Sequence, residues 1–455
     1  MDKVVLYYDS GSITIKGNIQ IPYSTIDPLN NKMRSLALYY RNILEYLKNS
    51  ELEFEDNVMD LIPFPSYLKR KLPINLRDYQ ERSIKNWISA GKWGCIILPT
   101  GAGKTLVGIS IIESIKEPTL IVVPTIELME QWNSTLSNYF QEDLIGMIGG
   151  GYEDIKPITV ITYDSAYIKS TLFGNRYDLV IFDEVHHLAS SGYRTIAENM
   201  TARYRLGLTA TIEREDDKQK DLPRLVGGIV YRGKLQELSE KKYLADFEIS
   251  SIKVSLTQKE KEQYGKLQNI YLTNLRKLGI FSGKDSFKRL IWMSGNNIIA
   301  KEALDAKRKA NDIALNSESK ILALTTILRE NNDKKIIIFT EHNKLVYRIS
   351  NRFLVPYITH KTDKDERKEI LNHFKSGTFS AIVTSKVFDE GIDVPDAELG
   401  VIMSGSGSRR EFVQRLGRVL RPKSNEKKAR IIEIVSTGTT EITKSSNRKS
   451  SIKNL

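Results

Sequence analysis

The chain has 455 residues, 40% of them hydrophobic and 27% charged, and its 68 Lys and Arg against 56 Asp and Glu give a formal net charge of +12. That is length for roughly three domains in a globular composition, and the positive balance suits a polyanionic partner. The single cysteine, Cys95, excludes an internal disulfide and a thiolate zinc site, while MDKVVLYYDSGS has no signal-peptide core and no run reaches membrane-spanning length, so a soluble cytoplasmic protein without a membrane partner is expected.

Residues 1–70 read as a small α+β module. Val4 to Tyr8, a DSGS turn and ITIKGNIQI give short strands. Leu36, Tyr39, Tyr40, Ile43 and Leu47 recur at helical spacing. The paired tyrosines Tyr7, Tyr8, Tyr39 and Tyr40 read as core. Leu61 to Pro73, with three prolines and a basic cluster, reads as a linker.

Residues 71–225 alternate apolar strands with helical segments: IILP, LIVVP, ITVITY, LVIFD and RLGLTAT. Alternation of this kind predicts a parallel sheet with helices on both faces. Residues 226–440 repeat it through KKIIIFT, SAIVTS, ELGVIM and ARIIEIV. A Lys- and Arg-rich helical insertion at 257–316 precedes these strands. Residues 441–455 form a basic tail, and the polar stretch from Ser436 onward is expected to be disordered.

PTGAGKT, Pro99 to Thr105, lies between a strand and a helix. There Thr100, Gly101, Ala102 and Gly103 can wrap backbone N–H groups around phosphates at a helix N-terminus, Lys104 can reach the outer phosphates, and the Thr105 hydroxyl can help hold magnesium. Leu98 stands where the full phosphate-loop pattern asks for glycine, so the match is to the shorter G-x-G-K-T core. In open α/β sheets ligands sit beyond the carboxyl ends of the strands, which is where DEVHH falls. Asp183 is assigned to the ion and Glu184 to orienting and deprotonating the attacking water. His186 and His187 have neither a cysteine nor a nearby third histidine, which speaks against zinc. SRREFVQRLGRVLRPK places Gln414, Arg418 and Arg421 on one face of a helix, with Arg415 beside them. Those arginines suit either a transition-state finger or direct nucleic-acid contact, and spacing alone does not separate the two.

The motifs, in this order from about Leu76 to Glu433, resemble those of the superfamily 2 helicases and translocases. The resemblance is strongest to the XPB-like branch, including the phage UvsW-like branch-migration helicases of the kind found in bacteriophage T5. It implies two RecA-like parallel-sheet lobes with a small N-terminal α+β module and a helical thumb-like insertion. LRDYQ looks like the adenine-reading motif, which assigns Arg77 and Gln80 to the base. VVPTIELMEQW, with Pro124 and Thr125, and ITYDS, with Thr162 and Tyr163, resemble strand-contacting motifs. LTAT, with Thr209 and Thr211, resembles the motif that couples hydrolysis to movement. VTSKVFDEGIDVPDA assigns Thr384 to nucleic acid and Gly391 and Asp393 to the nucleotide. QRLGRVLR makes Arg418 and Arg421 the finger residues, with Gln414 on the nucleotide. Arg214, Glu215 and Asp216 resemble the branch's strand-separating RED motif.

By this resemblance the chain is an ATP- and Mg2+-dependent DNA helicase, monomeric, acting on forks, junctions and single-strand/duplex boundaries in replication, recombination or repair. The N-terminal module is assigned as an accessory DNA-binding element. A duplex translocase without strand separation and an RNA helicase are the alternative expectations.

Overall fold

Strand Thr119–Val123 (TLIVV) and strand Leu179–Asp183 (LVIFD) are buried along their whole length. Continuous apolar runs of this kind belong in the interior of a parallel sheet covered on both faces. The computed structural model describes the chain except residues 1–2, 18, 29–30, 51, 67–69, 213–217, 235–236, 239–246, 282–285, 386–396, 405–428, 444 and 447–455. The described residues fall into two compact units, Met1–Leu238 and those beyond it.

The first unit opens with five strands, β1 (Val4–Asp9), β2 (Ser12–Lys16), β3 (Ser24–Ile26), β4 (Met33–Leu36) and β5 (Phe54–Asn57), in sheet order β3-β4-β2-β1-β5. Helix α1 (Tyr40–Asn49) buries Tyr40, Ile43, Leu44 and Leu47 against Val4, Leu6, Ile13 and Ile15. The helical spacing seen in the sequence runs back to Leu36, but Leu36 pairs with Ser12 in the β2–β4 ladder, and that pairing overrides the local pattern. The core reading of the tyrosines holds for Tyr40, and Tyr8 and Tyr39 pack half-buried against the same core. The Tyr8 hydroxyl also reaches out of the module, 2.9 Å from Thr171 O and 3.1 Å from Asn199 O. Residues 58–62 lie along the same flank: Asn175 Nδ2 donates to Val58 O at 2.8 Å, and the Asp60 and Ile62 N–H groups donate to Asn175 O and Arg176 O.

The larger sheet of this unit contains β6 (Trp93–Ile97), β7 (Thr119–Val123), β8 (Ile145–Gly149), β9 (Tyr152–Glu153), β10 (Ile158–Thr162), β11 (Leu179–Asp183), β12 (Tyr204–Thr209) and β13 (Ile229–Arg232). Their order is β13-β6-β12-β11-β7-β10-β8-β9. All pairs are parallel except β8–β9. β13 was assigned by sequence to the region after residue 225, yet it pairs with β6 and extends this sheet. β8 was not foreseen, because its two glycines weaken the apolar run. Helices α2 (Asp78–Ser89), α3 (Lys104–Ile115), α4 (Ile126–Tyr139), α5 (Tyr163–Phe173), α6 (Arg194–Glu198) and α7 (Leu222–Leu225) lie between the strands.

The second unit holds β14 (Phe247–Ser255), β15 (Ile336–Phe339), β16 (Tyr357–Ile358), β17 (Ala381–Thr384), β18 (Leu399–Ile402) and β19 (Ala429–Thr437), parallel throughout in the order β14-β19-β18-β15-β17-β16. The insertion is helical: α8 (Gln258–Lys277), α9 (Ser286–Met293) and α10 (Ile298–Leu315). Tyr264 of α8 packs on Ala310 and Ala314 of α10, small residues that let the two long helices approach. Helices α11 (Glu318–Glu330), α12 (Asn343–Phe353) and α13 (Lys364–Ser376) complete this unit. The expectation of disorder from Ser436 is corrected for its described part. β19 runs to Thr437, and Glu441 is buried beside a buried lysine, Lys320, with Nζ to Oε2 at 2.7 Å. A lysine inside a core needs an anion, and this polar stretch supplies it.

Candidate active site

Because β6, β7, β10, β11 and β12 are parallel neighbours, their carboxyl ends bring Pro99–Lys104, Pro124–Thr125, Thr162–Tyr163, Asp183–Glu184 and Thr209–Thr211 to one edge of the sheet. The loop after β6 turns through Gly101 and Gly103, at φ +83° and +74°, before α3 starts at Lys104. A side chain at Gly103 would place its Cβ 2.5 Å from Gln80 Nε2. Glycine suits this position because its φ is positive and the Gln80 side-chain amide fills the space a Cβ would take. Thr100 Oγ1 is buried in the loop without a hydrogen-bond partner. This donor-rich turn fits a nucleotide phosphate chain.

Asp183 is 4% exposed. Its Oδ2 accepts from Trp132 Nε1 at 2.8 Å, and its Oδ1 accepts from the Glu184 N–H at 2.9 Å. Burial, reinforced by the Glu184 charge, pushes its carboxyl up to about 6, against the pull of Lys104 and Trp132. A buried carboxylate disfavoured in this way gains most from a cation, so Asp183 fits the magnesium assignment. Glu184 sits in the left-handed region at φ +47° and ψ +53°, a backbone strain of the sort found at functional sites. Its Oε1 lies 3.7 Å from Lys104 Nζ, and its Oε2 accepts from Thr209 Oγ1 at 3.0 Å. His186 Nδ1 approaches the same Thr209 oxygen at 3.0 Å and Glu184 Oε2 at 3.4 Å. Lysine, threonine and histidine thus hold the carboxylate in place.

The remaining predicted residues are placed with more variety. Gln80 is buried, accepts from the Arg77 N–H at 2.9 Å, and donates from Nε2 towards Ala102 O at 3.1 Å and Gly103 O at 3.3 Å. In this structure its amide ties α2 to the phosphate loop. Thr125 and Thr162 cap α4 and α5, accepting from the Leu128 and Ser165 N–H groups at 3.2 and 3.3 Å. Tyr163 was expected to meet a nucleic-acid strand. Its side chain is buried, and its hydroxyl donates to Asp183 O at 3.2 Å, so it supports the acidic strand end from within. Thr384, at the end of β17, is buried, with its hydroxyl on Ser385 O at 3.1 Å. Arg214, Glu215, Asp216, Gly391, Asp393, Gln414, Arg415, Arg418 and Arg421 lie outside the described residues.

Two residues escaped the sequence reading. Trp132 holds Asp183, and Gly108 on α3 makes room for it: a Cβ there would lie 2.7 Å from Trp132 Cη2. A glycine inside a helix costs about 1 kcal/mol against alanine. That cost was the signal available in the sequence.

Residues 6–58 match the Xeroderma pigmentosum group B helicase damage recognition domain, 73–214 the type III restriction enzyme res subunit, and 299–454 the ERCC3/RAD25/XPB C-terminal helicase. The chain is 48% identical over 416 residues to the DNA 3'-5' translocase XPB2 of Sulfurisphaera tokodaii, covering 91% of this chain and 93% of that one. The chain belongs to the XPB family. That makes it a superfamily 2 helicase and an ATP-using enzyme. The DNA 3'-5' helicase XPB of Kineococcus radiotolerans is 30% identical over 80% of this chain and 60% of its own. The TFIIH helicase/translocase subunit XPB/SSL2 of Saccharomyces cerevisiae is 28% identical over 76% of this chain, which spans only 40% of it. The Pyrococcus furiosus Hef helicase domain shares the fold, with a TM-score of 0.55 at 20% identity over 84% of this chain and 100% of that domain. None of these relatives supports the phage branch expected from the sequence.

Proposed function

We propose that this XPB-family protein is an ATP- and Mg2+-driven DNA motor with 3′-to-5′ polarity, able to open forked DNA and to move branch points. The observation that carries the reading is the arrangement of Lys104, Asp183 and Glu184 at one sheet edge, with Thr209 bonded to the carboxylate that would position the attacking water. Thr100 to Thr105 would hold the phosphates, and Thr105 with Asp183 the ion. The ion would neutralise phosphate charge. Glu184 would orient and deprotonate the water, and Arg418 and Arg421 would stabilise the charge that develops on the transferred group. The bond from Thr209 to Glu184 would give movement of the LTAT strand end a direct route to the catalytic carboxylate.

The capped N-termini of α4 and α5 lie on the same edge as the phosphate loop. They suit phosphate contacts that hold a backbone without reading sequence. The match of residues 6–58 to a damage recognition domain supports the N-terminal module as a further DNA contact. A second reading, duplex translocation without strand separation, is favoured by the word translocase in the name of the 48% identical relative. ATP-dependent unwinding of a synthetic fork, a four-way junction and a simple tailed duplex, run beside triplex displacement, separates the two. Preference for fork and junction supports the proposal. Triplex displacement with no strand separation on any of the three replaces it with the translocase reading.

A further inference from the structure

Tyr79 and Gln80 lie in the first turn of α2, and both are buried. The far end of that helix is fixed to the sheet, where Trp87 Nε1 donates to Arg205 O on β12 at 2.9 Å and Asn86 Nδ2 to Val230 O on β13 at 3.2 Å. At the near end the Tyr79 hydroxyl donates to Ala102 O at 2.8 Å. Gln80 Nε2 donates to the same oxygen at 3.1 Å and to Gly103 O at 3.3 Å. Two donors thus occupy both lone pairs of the Ala102 carbonyl. A trans peptide is planar, with its N–H opposed to its C=O, so a carbonyl drawn towards α2 turns the next N–H away from that helix. The bonds on Ala102 O and Gly103 O therefore orient the Gly103 and Lys104 N–H groups, two of the donors that a phosphate loop offers. The Gln80 amide is spent in doing this. Its two N–H hydrogens face loop carbonyls, and its Oε1 accepts from the Arg77 N–H at 2.9 Å.

We propose that Tyr79 and Gln80 are positioning residues for the phosphate loop: they set the affinity for a triphosphate whatever base it carries, and Gln80 does not read the adenine that its motif would assign to it. The inference rests on the motor reading given above, in which this loop holds ATP. Bidentate reading of adenine takes one donor and one acceptor from a glutamine amide. With both hydrogens already on the loop, a bond to the base would be made only by giving up a bond that orients the phosphate donors.

The test uses the full chain as Gln80→Met and as Tyr79→Phe, which remove the donors and keep most of the bulk. Dissociation constants are measured for ATP, GTP and inorganic triphosphate by competition against a fluorescent ADP, beside the thermal midpoint of nucleotide-free protein. Each variant is expected to weaken all three ligands by the same factor, about three- to tenfold, so that the ratio of ATP to GTP affinity keeps its wild-type value. Tyr79→Phe removes one hydroxyl only and decides the matter if Gln80→Met does not fold. Its nucleotide-free midpoint is expected to stay within about 4 °C of wild type; a larger fall with the same loss of affinity would make the role structural and overturn the proposal. A loss on ATP with none on triphosphate in Gln80→Met returns that residue to the base and overturns the proposal. Undiminished affinity for all three ligands in whichever variant folds overturns it too, as does wild-type protein that binds ATP but not triphosphate. Wild-type protein that binds neither overturns the motor reading, and the proposal with it.

Discussion

Gly108→Ala pits two effects of known size against each other. The new methyl would raise the helix propensity of α3 by about 1 kcal/mol. It would also sit 2.7 Å from Trp132 Cη2, inside a core where Leu208 Cδ1 closes the other side at 3.6 Å. Overpacking of this kind costs about 1–3 kcal/mol; with a contact as short as 2.7 Å the cost belongs at the upper end of that range, and the variant should be destabilised by up to about 2 kcal/mol. The ring that must move is the one whose Nε1–H holds Asp183, and ATP turnover should fall with stability. Trp132→Phe removes that hydrogen bond to a charged acceptor, a loss of about 1.5–3 kcal/mol, together with the ring edge that blocks residue 108. In the Trp132→Phe background the alanine should therefore become stabilising by up to about 1 kcal/mol. Calorimetric unfolding of the four proteins of the cycle, with ATP turnover on each, reads both consequences. Alanine that is neutral or stabilising beside an intact Trp132, or effects that simply add, would refute the reasoning.

Burial raises the Asp183 carboxyl from an ordinary 3.8 to about 6, so between those values the native state keeps a proton that the unfolded chain has released. Its contribution to the stability of nucleotide-free protein therefore declines as pH rises from about 4 to about 6 and is flat above that. Asp183→Asn cannot ionise, and its thermal midpoint relative to wild type should climb over this window; a pH-independent difference would contradict the assignment. Arg205 is buried, stacks on Trp93 at 4.8 Å and donates to Ala197 O and Leu225 O at 2.9 Å and Ala202 O at 3.2 Å. Arg205→Ala strands those carbonyls and empties the site, and should cost at least about 3 kcal/mol in denaturant unfolding. Tyr8→Phe removes the hydroxyl that reaches Thr171 O and Asn199 O. It should weaken docking of the N-terminal module by about 1 kcal/mol, seen as faster amide exchange around residues 4–16 with little change near residues 119–123.

The strands that carry the chemistry were legible because β7, β10, β11 and β12 are apolar runs that end in polar residues at a turn. Fully buried parallel strands are the pattern a single sequence displays best. The phosphate loop and the acidic pair were legible because each needs fixed residue types at fixed spacing. Four things were not. Pairing across the sheet put Leu36 in a strand and β13 in the first unit's larger sheet, and neither ladder is visible in local sequence. Burial decided that Tyr163 faces inward, since a tyrosine in a polar motif reads equally as a ligand or as a support. The Trp132–Asp183 bond joins residues far apart in sequence, and a lone glycine in a helix was its only local sign. The ordered turn at 436–441 was hidden by composition: its polar residues look solvated until Lys320 is found to need one of them.

The central claim is that Lys104, Asp183 and Glu184 form the centre of a DNA-driven ATPase. It is tested most directly by measuring ATP turnover of wild-type protein and Lys104→Ala with and without a tailed DNA duplex. The account predicts turnover that rises with DNA in the wild type and is abolished in the variant, with DNA binding retained. Turnover or unwinding that survives Lys104→Ala would contradict it.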